Sequence, residues 1–596
     1  MPNQKYQTKW NLSDFYSELS DPKLDQDIAK VLPLAKSFAE KYKGKIVDLK
    51  ADNFLEFFKD DTAIDEIVNK IGLYFLFLSS LDTQNQAVIK KQGEFDNILI
   101  EATNLLLFVS QEFKEIGYEK LMEFSNTPTL SEYQNFFVQK ADSIKYLLDE
   151  KTEFALNLKE RSGSSTLNNL YEELTNSFVF KINLGSKIKE MTEEEVRSLR
   201  MSPDENVRKE AFRSLREVYN TKQAQITLGN IYSGIVKDWT SEVKIRGYDG
   251  IMSPRNKSEQ IPDKAIDLLL SEVENSYPLY QRYLKVKAKI MGKERLKNWD
   301  LLAPLDKNEK EYSFEDGLQI YLDNVQKFDK QFYDYSVELL ENGRVDVFPV
   351  AGKRGGAYCA YEKYMPSRVL LNYTNKLNDI STIAHEFGHA IHGFFAQKQK
   401  SQVYSSGLCL AETASVFNET MLNESLLEKL ETKQEKLHFL GNQLQDITAT
   451  IFRQINYVAF ERKAHEQILS GKELTFEDYN KMWRDEQVKM AGDIVEYDVE
   501  SDKESSWSGI PHIFRTPFYC YSYAFGNILS FALYEKYRKE GQSFVETYKN
   551  ILRSGGSKSP YDLLMENGMD ITKPEFYKTG LKVVETIVEE FEEMAK

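Results

Sequence analysis

Along the first two hundred residues, apolar positions return at three- and four-residue spacing. Ile64, Ile67, Ile71 and Tyr74 form one such series, and Ile98, Ala102, Leu105 and Val109 another. That spacing lines one face of an α-helix, and few Gly or Pro residues interrupt it, so this part is predicted to be helix after helix. A capping signal at Met201, Ser202, Pro203 and Asp204 opens a further helical run over 207–219. We expect a domain boundary there, with an N-terminal helical lobe over 1–200 and a second domain over 201–596. The helical pattern continues over 272–291, and residues 299–305 read as an extended segment.

Residues 344–374 break the helical habit. R-V-D-V-F-P-V, A-G-K-R-G-G-A-Y-C-A-Y and S-R-V-L-L-N-Y-T read as short strands joined by turns. They predict a small antiparallel β-sheet just ahead of the helix that carries the candidate chemistry. Gly355, Gly356 and Ala357 would let another backbone approach closely, as when an extended peptide pairs with an edge strand; a purely structural hairpin fits the same residues. From 423 to 500 the pattern is helical and charge-rich, with His438 and His465 expected on solvated faces. A final amphipathic helix carries Leu581, Val584, Val588 and Phe591. The fold class is mainly α-helical.

The chemistry concentrates in S-T-I-A-H-E-F-G-H-A-I-H-G, residues 381–393. His385 and His389 are four residues apart, so on a helix both imidazoles leave one face, and Glu386 lies between them. Two neutral imidazoles at this spacing can hold zinc while the carboxylate reaches a water at the metal's open position. Ile383, Ala384, Phe387, Ala390 and Ile391 supply a buried stripe, and Asn378 and Asp379 are candidate caps. Gly388 costs about 1 kcal/mol in a helix interior; close packing against a second ligand-bearing element would account for it. A catalytic zinc needs a third protein ligand, and Glu412, 23 residues beyond His389, is the candidate. Glu419 is seven residues further on, on the same helical face, with Ser415 between them. The aromatic stretch 507–526 carries His512, Tyr519, Tyr521 and Tyr523, groups able to donate hydrogen bonds to a developing oxyanion or to form a packing layer.

Composition narrows the classes. Net charge is −16, from 77 basic and 93 acidic residues, which argues against a nucleic-acid partner. Three cysteines, Cys359, Cys409 and Cys520, are no disulfide framework and suit a reducing compartment. The first ten residues show no signal-peptide core, and the longest apolar run, 71–81, falls short of the ~20 residues of a membrane span. We therefore expect a soluble, cytoplasmic protein without a membrane partner. Neither a phosphate-binding P-loop nor a G-x-S-x-G nucleophile elbow is present.

H-E-F-G-H at 385–389, E-T-A-S at 412–415 with Glu419, and P-H-x-x-x-x-P-F-Y-x-Y-x-Y-A at 511–524 resemble the oligoendopeptidase F family, the bacterial branch of the thimet-oligopeptidase-like zinc metallopeptidases. W-N-L-S-D-F-Y, M-S-P-D-E-N-V-R-K-E-A-F and G-G-S-K-S-P extend the resemblance over nearly the whole chain. It implies a two-lobed helical shell around a deep channel, one Zn2+ per chain, and cleavage inside short oligopeptides. Carried over by position, it implies His385, His389 and Glu412 as ligands and Glu386 as the glutamate that activates the zinc-bound water. His512 and a following tyrosine, Tyr519 ahead of Tyr521 and Tyr523, would stabilise the transition state. Glu419 and His392 are expected to orient ligands from behind, and Gly355, Gly356, Ala357, Tyr521 and Tyr523 to contact substrate. The alternatives are an exopeptidase with the same zinc chemistry, or a non-catalytic peptide-binding shell whose structural zinc takes a fourth ligand, for which Cys409 is the nearby candidate. Oligomeric state is open, with a monomer the working expectation.

Overall fold

Capping chemistry sets many of the helix starts. Asn85 accepts the backbone N–H groups of Ala87 and Val88 at 3.1 and 3.2 Å, and Asp204 accepts that of Asn206 at 2.8 Å. Each satisfies amides that a first helical turn leaves without partners. In the computed structural model, which describes residues 6–160, 162–185, 187–305, 310–497 and 505–596, helices make up most of the chain and the strands are few and short. The chain divides into two compact units of three segments each. The first comprises Met1–Lys145, Lys310–Ser425 and Lys536–Gly568; the second comprises Tyr146–Glu309, Leu426–Glu535 and Met569–Lys596. The expected cut at 200/201 lies inside the second unit's opening segment.

In the first unit, one core is built from aromatic rings: Phe54 meets Phe124 and Phe137 edge-on at 5.0 and 5.2 Å, a favoured arrangement for buried rings. The three-stranded sheet contains Val345–Asp346, Tyr358–Glu362 and Met365–Leu370. Met365–Leu370 lies in the middle, parallel to Val345–Asp346 and antiparallel to Tyr358–Glu362. The sheet is therefore mixed rather than antiparallel, because the first strand reaches the middle one through a crossover and not a hairpin. Tyr358–Glu362 is left at the edge. Gly355 and Gly356 sit in the turn ahead of it, with Gly356 at φ +76° and the Asn372 side-chain amide donating to the carbonyls of Arg354 and Gly356 at 2.9 and 2.6 Å. Near the start of the chain, the Trp10 indole N–H donates to Val369 O at 2.9 Å, and Thr8 O accepts from Val347 N at 3.1 Å. The helix Leu377–Ala396 packs on both longer strands and on the helices Phe314–Phe328 and Gln542–Ser554.

The second unit holds an antiparallel hairpin, Phe180–Asn183 with Ile188–Met191, and a core around Tyr232, Phe460, Tyr479, Trp507 and Phe514. Three local expectations change here. Residues 272–291 are not continuous, for one helix ends at Asn275 and another, Tyr277–Ile290, begins with Pro278 in its first turn, where a missing N–H costs nothing. Residues 299–305 are not extended, since a 3-10 turn at Asn298–Asp300 is pinned by fully buried Asp300, bonded to Arg208 at 3.1 Å and Lys293 at 2.8 Å. His438 and His465 are buried, at 8% and 0% exposure, rather than solvated. The His465 ring N–H donates to the Glu461 carbonyl at 2.8 Å, which lets an imidazole enter a core that the surrounding charges obscure. Among the described residues, no helix is long and apolar enough to cross a membrane.

Candidate active site

The helix Leu377–Ala396 starts one residue ahead of the expected caps. Asp379, its third residue, accepts the backbone N–H groups of Thr374 and Lys376 at 2.6 and 3.0 Å and so caps the helix from within. Ile383, Ala384, Phe387 and Ala390 are fully buried, as the stripe predicts. A methyl group on Gly388 would lie 2.5 Å from Ala414 O and 2.6 Å from Ser415 Cα. The glycine is thus the point where the backbone leading out of Glu412 lies flush against the histidine helix. Asn418 fastens the same contact, its amide donating to Ala384 O at 2.8 Å.

Glu412 is not within the long helix but at the kink between the short helix Leu408–Ala411 and the helix Thr413–Lys429. That kink turns its carboxylate toward the imidazoles: Glu412 Oε2 is 3.4 Å from His385 Nε2 and 3.3 Å from His389 Nε2. Ser415 Oγ donates to the same oxygen at 2.7 Å. His385 Nδ1 is 3.1 Å from Glu419 Oε2. With Nδ1–H donating to that carboxylate, the lone pair of Nε2 faces Glu412, the arrangement in which a carboxylate behind a histidine sets its tautomer for metal binding. His392 is neutral, pushed down to about 4 by burial and by His389, with the Ala411 carbonyl, just ahead of Glu412, opposing the shift.

His385, His389 and Glu412 each present a ligand atom within 4.8 Å of the others. Two nitrogen lone pairs and a carboxylate oxygen repel one another unless a cation lies among them. Burial disfavours the charged imidazole of His385, but Glu412 and Glu419 outweigh it and raise His385 well above the usual range. Burial would likewise raise Glu412, but the hydrogen bonds of the two imidazoles bring it far down. The residues present fit a divalent metal that takes nitrogen and oxygen ligands. Cys409, buried, is not one of the group. Glu386 is 6% exposed and is pushed up by burial, which the nearby imidazoles partly offset. Its Oε2 has no protein hydrogen-bond partner among the described residues, so a polar group from outside the protein would complete it.

In the second unit, His512 lies on the short helix Pro511–Arg515 and Tyr519 in the turn that follows. The two rings are nearly parallel, 6.0 Å apart with 9° between their planes. Tyr523 meets Tyr519 edge-on at 5.2 Å and His512 at 6.2 Å. Tyr521 is fully buried in the core. Tyr519 lies in the turn ahead of the helix Tyr521–Glu540, so the turn, and not helical spacing, decides that Tyr519 and Tyr523 meet while Tyr521 enters the core.

Several supporting residues lie outside the ligand motifs. A side chain on Gly555 or Gly556 would collide with the carbonyls of Tyr404 or Ser405, in the loop that leads to Glu412, and Gly556 N–H donates to Val403 O at 3.0 Å. Gly393 faces the ring of Tyr361 on the edge strand. Neither Cys359 nor Cys520 is a candidate nucleophile: burial raises both thiols far from thiolate formation.

The profile of Peptidase family M3 matches residues 198–583, which contain every residue of both clusters. The chain belongs to peptidase family M3. Peptide-bond hydrolysis is accordingly its reaction class. The M3 chain is 28% identical to oligopeptidase PepF of Bacillus subtilis over 99% of its own length and 88% of the relative's. It is 25% identical to an oligoendopeptidase F homolog of Lactococcus lactis, covering 98% and 97%. The solved structure of oligoendopeptidase-F from Enterococcus faecium has the same fold, with a TM-score of 0.73 at 22% identity over 97% of this chain and 99% of that one. A Chlamydophila abortus structure superposes with a TM-score of 0.87 at 24% identity, covering 98% of each chain.

Proposed function

We propose that this M3 peptidase is a zinc metallo-endopeptidase that hydrolyses internal bonds of short oligopeptides. The observation that carries the reading is the convergence of His385, His389 and Glu412 beside a buried glutamate, Glu386, that has an oxygen left for an outside group. His385, His389 and Glu412 would hold the ion, and three protein ligands leave a position for water or substrate. Bound Zn2+ supplies a Lewis acid that polarises the scissile carbonyl and eases ionisation of water near neutral pH.

The chain's own groups do the rest. Glu386 takes the proton of the attacking water and returns it to the leaving amine; a carboxyl raised by burial is matched to holding that proton transiently. Glu419 and His392 keep His385 and the Glu412 kink in place. His512 and Tyr519 donate hydrogen bonds to the oxyanion, with Tyr523 bracing both rings. Gly355 and Gly356, in open space ahead of the edge strand, and the adjoining Ala357 guide the peptide backbone along that edge. The names of the relatives, oligopeptidase and oligoendopeptidase, support short peptides as substrates. Three cysteines joined by no disulfide support a reducing, cytoplasmic setting.

The test is Glu386→Gln, which is expected to retain one zinc per chain while hydrolysis of an internally quenched oligopeptide falls by three orders of magnitude or more. Undiminished hydrolysis would end the assignment, and so would a metal-free wild-type protein of equal activity. Peptides blocked at both termini separate endopeptidase from exopeptidase, since only the former cleaves them.

A further inference from the structure

The turn that joins His512 to Tyr519 contains Phe518 at φ +60°, a left-handed conformation that a bulky side chain rarely adopts without support. Glu461, from the helix Arg453–Leu469, reaches this turn from the core. It is 0% exposed, and its Oε1 accepts the Phe518 N–H at 2.9 Å. Its other oxygen has no protein partner among the described residues, so this one amide is what the buried carboxyl serves. His465, one helical turn on and also 0% exposed, rests its ring on that of Phe518 at 4.7 Å, and Trp239 covers it at 5.9 Å. The Arg255 guanidinium donates to the carbonyl of the preceding residue, Pro517, at 3.4 Å. Amide, carbonyl and ring of one strained turn are thus each held by a different side chain of the same unit.

We infer that Glu461 is a positioning residue: by fixing Phe518 in the left-handed region it turns the chain so that the Tyr519 ring lies parallel to His512. Neither the tyrosine nor the histidine is touched by Glu461 itself; the hydrogen bond acts through the backbone between them. Thr516 N–H bonds His512 O at 2.9 Å and Tyr519 N–H bonds Thr516 O at 3.2 Å, so the turn has no slack between Phe518 and the two rings. If Phe518 relaxed to negative φ, the direction of the chain entering Tyr519 would change and the parallel pair could not persist. The catalytic part of this inference rests on the proposed role of Tyr519 as an oxyanion donor; the positional part does not.

The experiment compares full-length zinc-loaded wild type, Glu461→Gln and Glu461→Met, each also prepared with 3-fluorotyrosine at position 519. Glutamine keeps an acceptor for the Phe518 N–H, whereas methionine keeps the shape without one. The 19F resonance of residue 519 should move and broaden in Glu461→Met and stay within the wild-type line in Glu461→Gln. kcat on a quenched peptide should fall 10–100-fold in Glu461→Met with KM within three-fold, as expected for a displaced catalytic group, and recover in Glu461→Gln. An unmoved 19F line in Glu461→Met overturns the inference. A moved line with unchanged kcat upholds the positioning and instead removes Tyr519 from the chemistry. Should Glu461→Met not fold, amide hydrogen exchange on the wild type decides: Phe518 is expected to be protected, and exchange at the rate of an open loop overturns the inference.

Discussion

Replacing Gly388 with alanine sets two effects of known size against each other. On helix propensity alone the change gains about 1 kcal/mol, because glycine is the poorer helix former by that amount. The added methyl would sit 2.5 Å from Ala414 O and 2.6 Å from Ser415 Cα, where ordinary contact begins at 3.4 Å. Both obstacles are backbone, so no side chain can swing away, and the Glu412 segment would have to retreat by about 0.9 Å, at an overpacking cost of about 1–3 kcal/mol. Metal ligands tolerate about 0.2 Å of misplacement, so displacement of the third ligand should outweigh any change in overall stability. We expect zinc affinity to fall roughly 10–100-fold, equivalent to about 1.4–2.7 kcal/mol. The assay is competition with a chelating dye, alongside a thermal melt of the metal-free protein. Gly72→Ala is the control: that helical glycine has nothing within 4 Å of an added methyl, so stability should rise by up to about 1 kcal/mol with zinc affinity unchanged. Wild-type zinc affinity in Gly388→Ala would refute the argument that this glycine sets the approach of the two ligand-bearing segments.

Glu419→Gln removes the carboxylate behind His385 while keeping its shape, and should weaken zinc binding about 10–100-fold without unfolding the protein, measured by the same competition. Glu461 predicts a pH effect on stability. Burial pushes it up to about 8, opposed by its bond to Phe518 N–H, so between its unfolded value near 4.5 and pH 8 the folded state holds the extra proton and stability drops as pH rises. His465 is lowered to about 4 and Lys287 to about 7 by burial; both act in the opposite sense and cancel when wild type and Glu461→Gln are compared. From pH 6.5 to 8, wild type should lose about 2 kcal/mol more than the variant, read as a change in the difference of their denaturation midpoints; parallel midpoints would show Glu461 to be ionised in the folded state.

The sequence carried the chemistry of the first cluster further than its geometry. Four-residue spacing placed His385 and His389 on one face whatever surrounds them, and Gly388 announced a close neighbour because a glycine inside a helix is a local cost that only packing can explain. It did not reveal that Glu412 lies at a kink, since a single residue between two helices leaves no periodic trace. The surface reading of His438 and His465 failed for a related reason: a charge-rich stretch describes one face of a helix, whereas an imidazole bonded to a carbonyl one turn back can occupy the other.

What the linear chain determined by itself is local: helix content, the paired imidazoles with their glutamate, and the aromatic run around His512, because backbone periodicity and short motifs are set by neighbours a few residues away. Tertiary structure decided how distant groups meet them. Glu412 and Glu419 reach His385, Gly555 and Gly556 admit the loop before Glu412, Val345–Asp346 pairs parallel instead of antiparallel, and Glu461 holds Phe518 from 57 residues away. Such contacts depend on how buried faces and hydrogen-bonding groups are shared among segments far apart in the chain, and no window of sequence contains both partners.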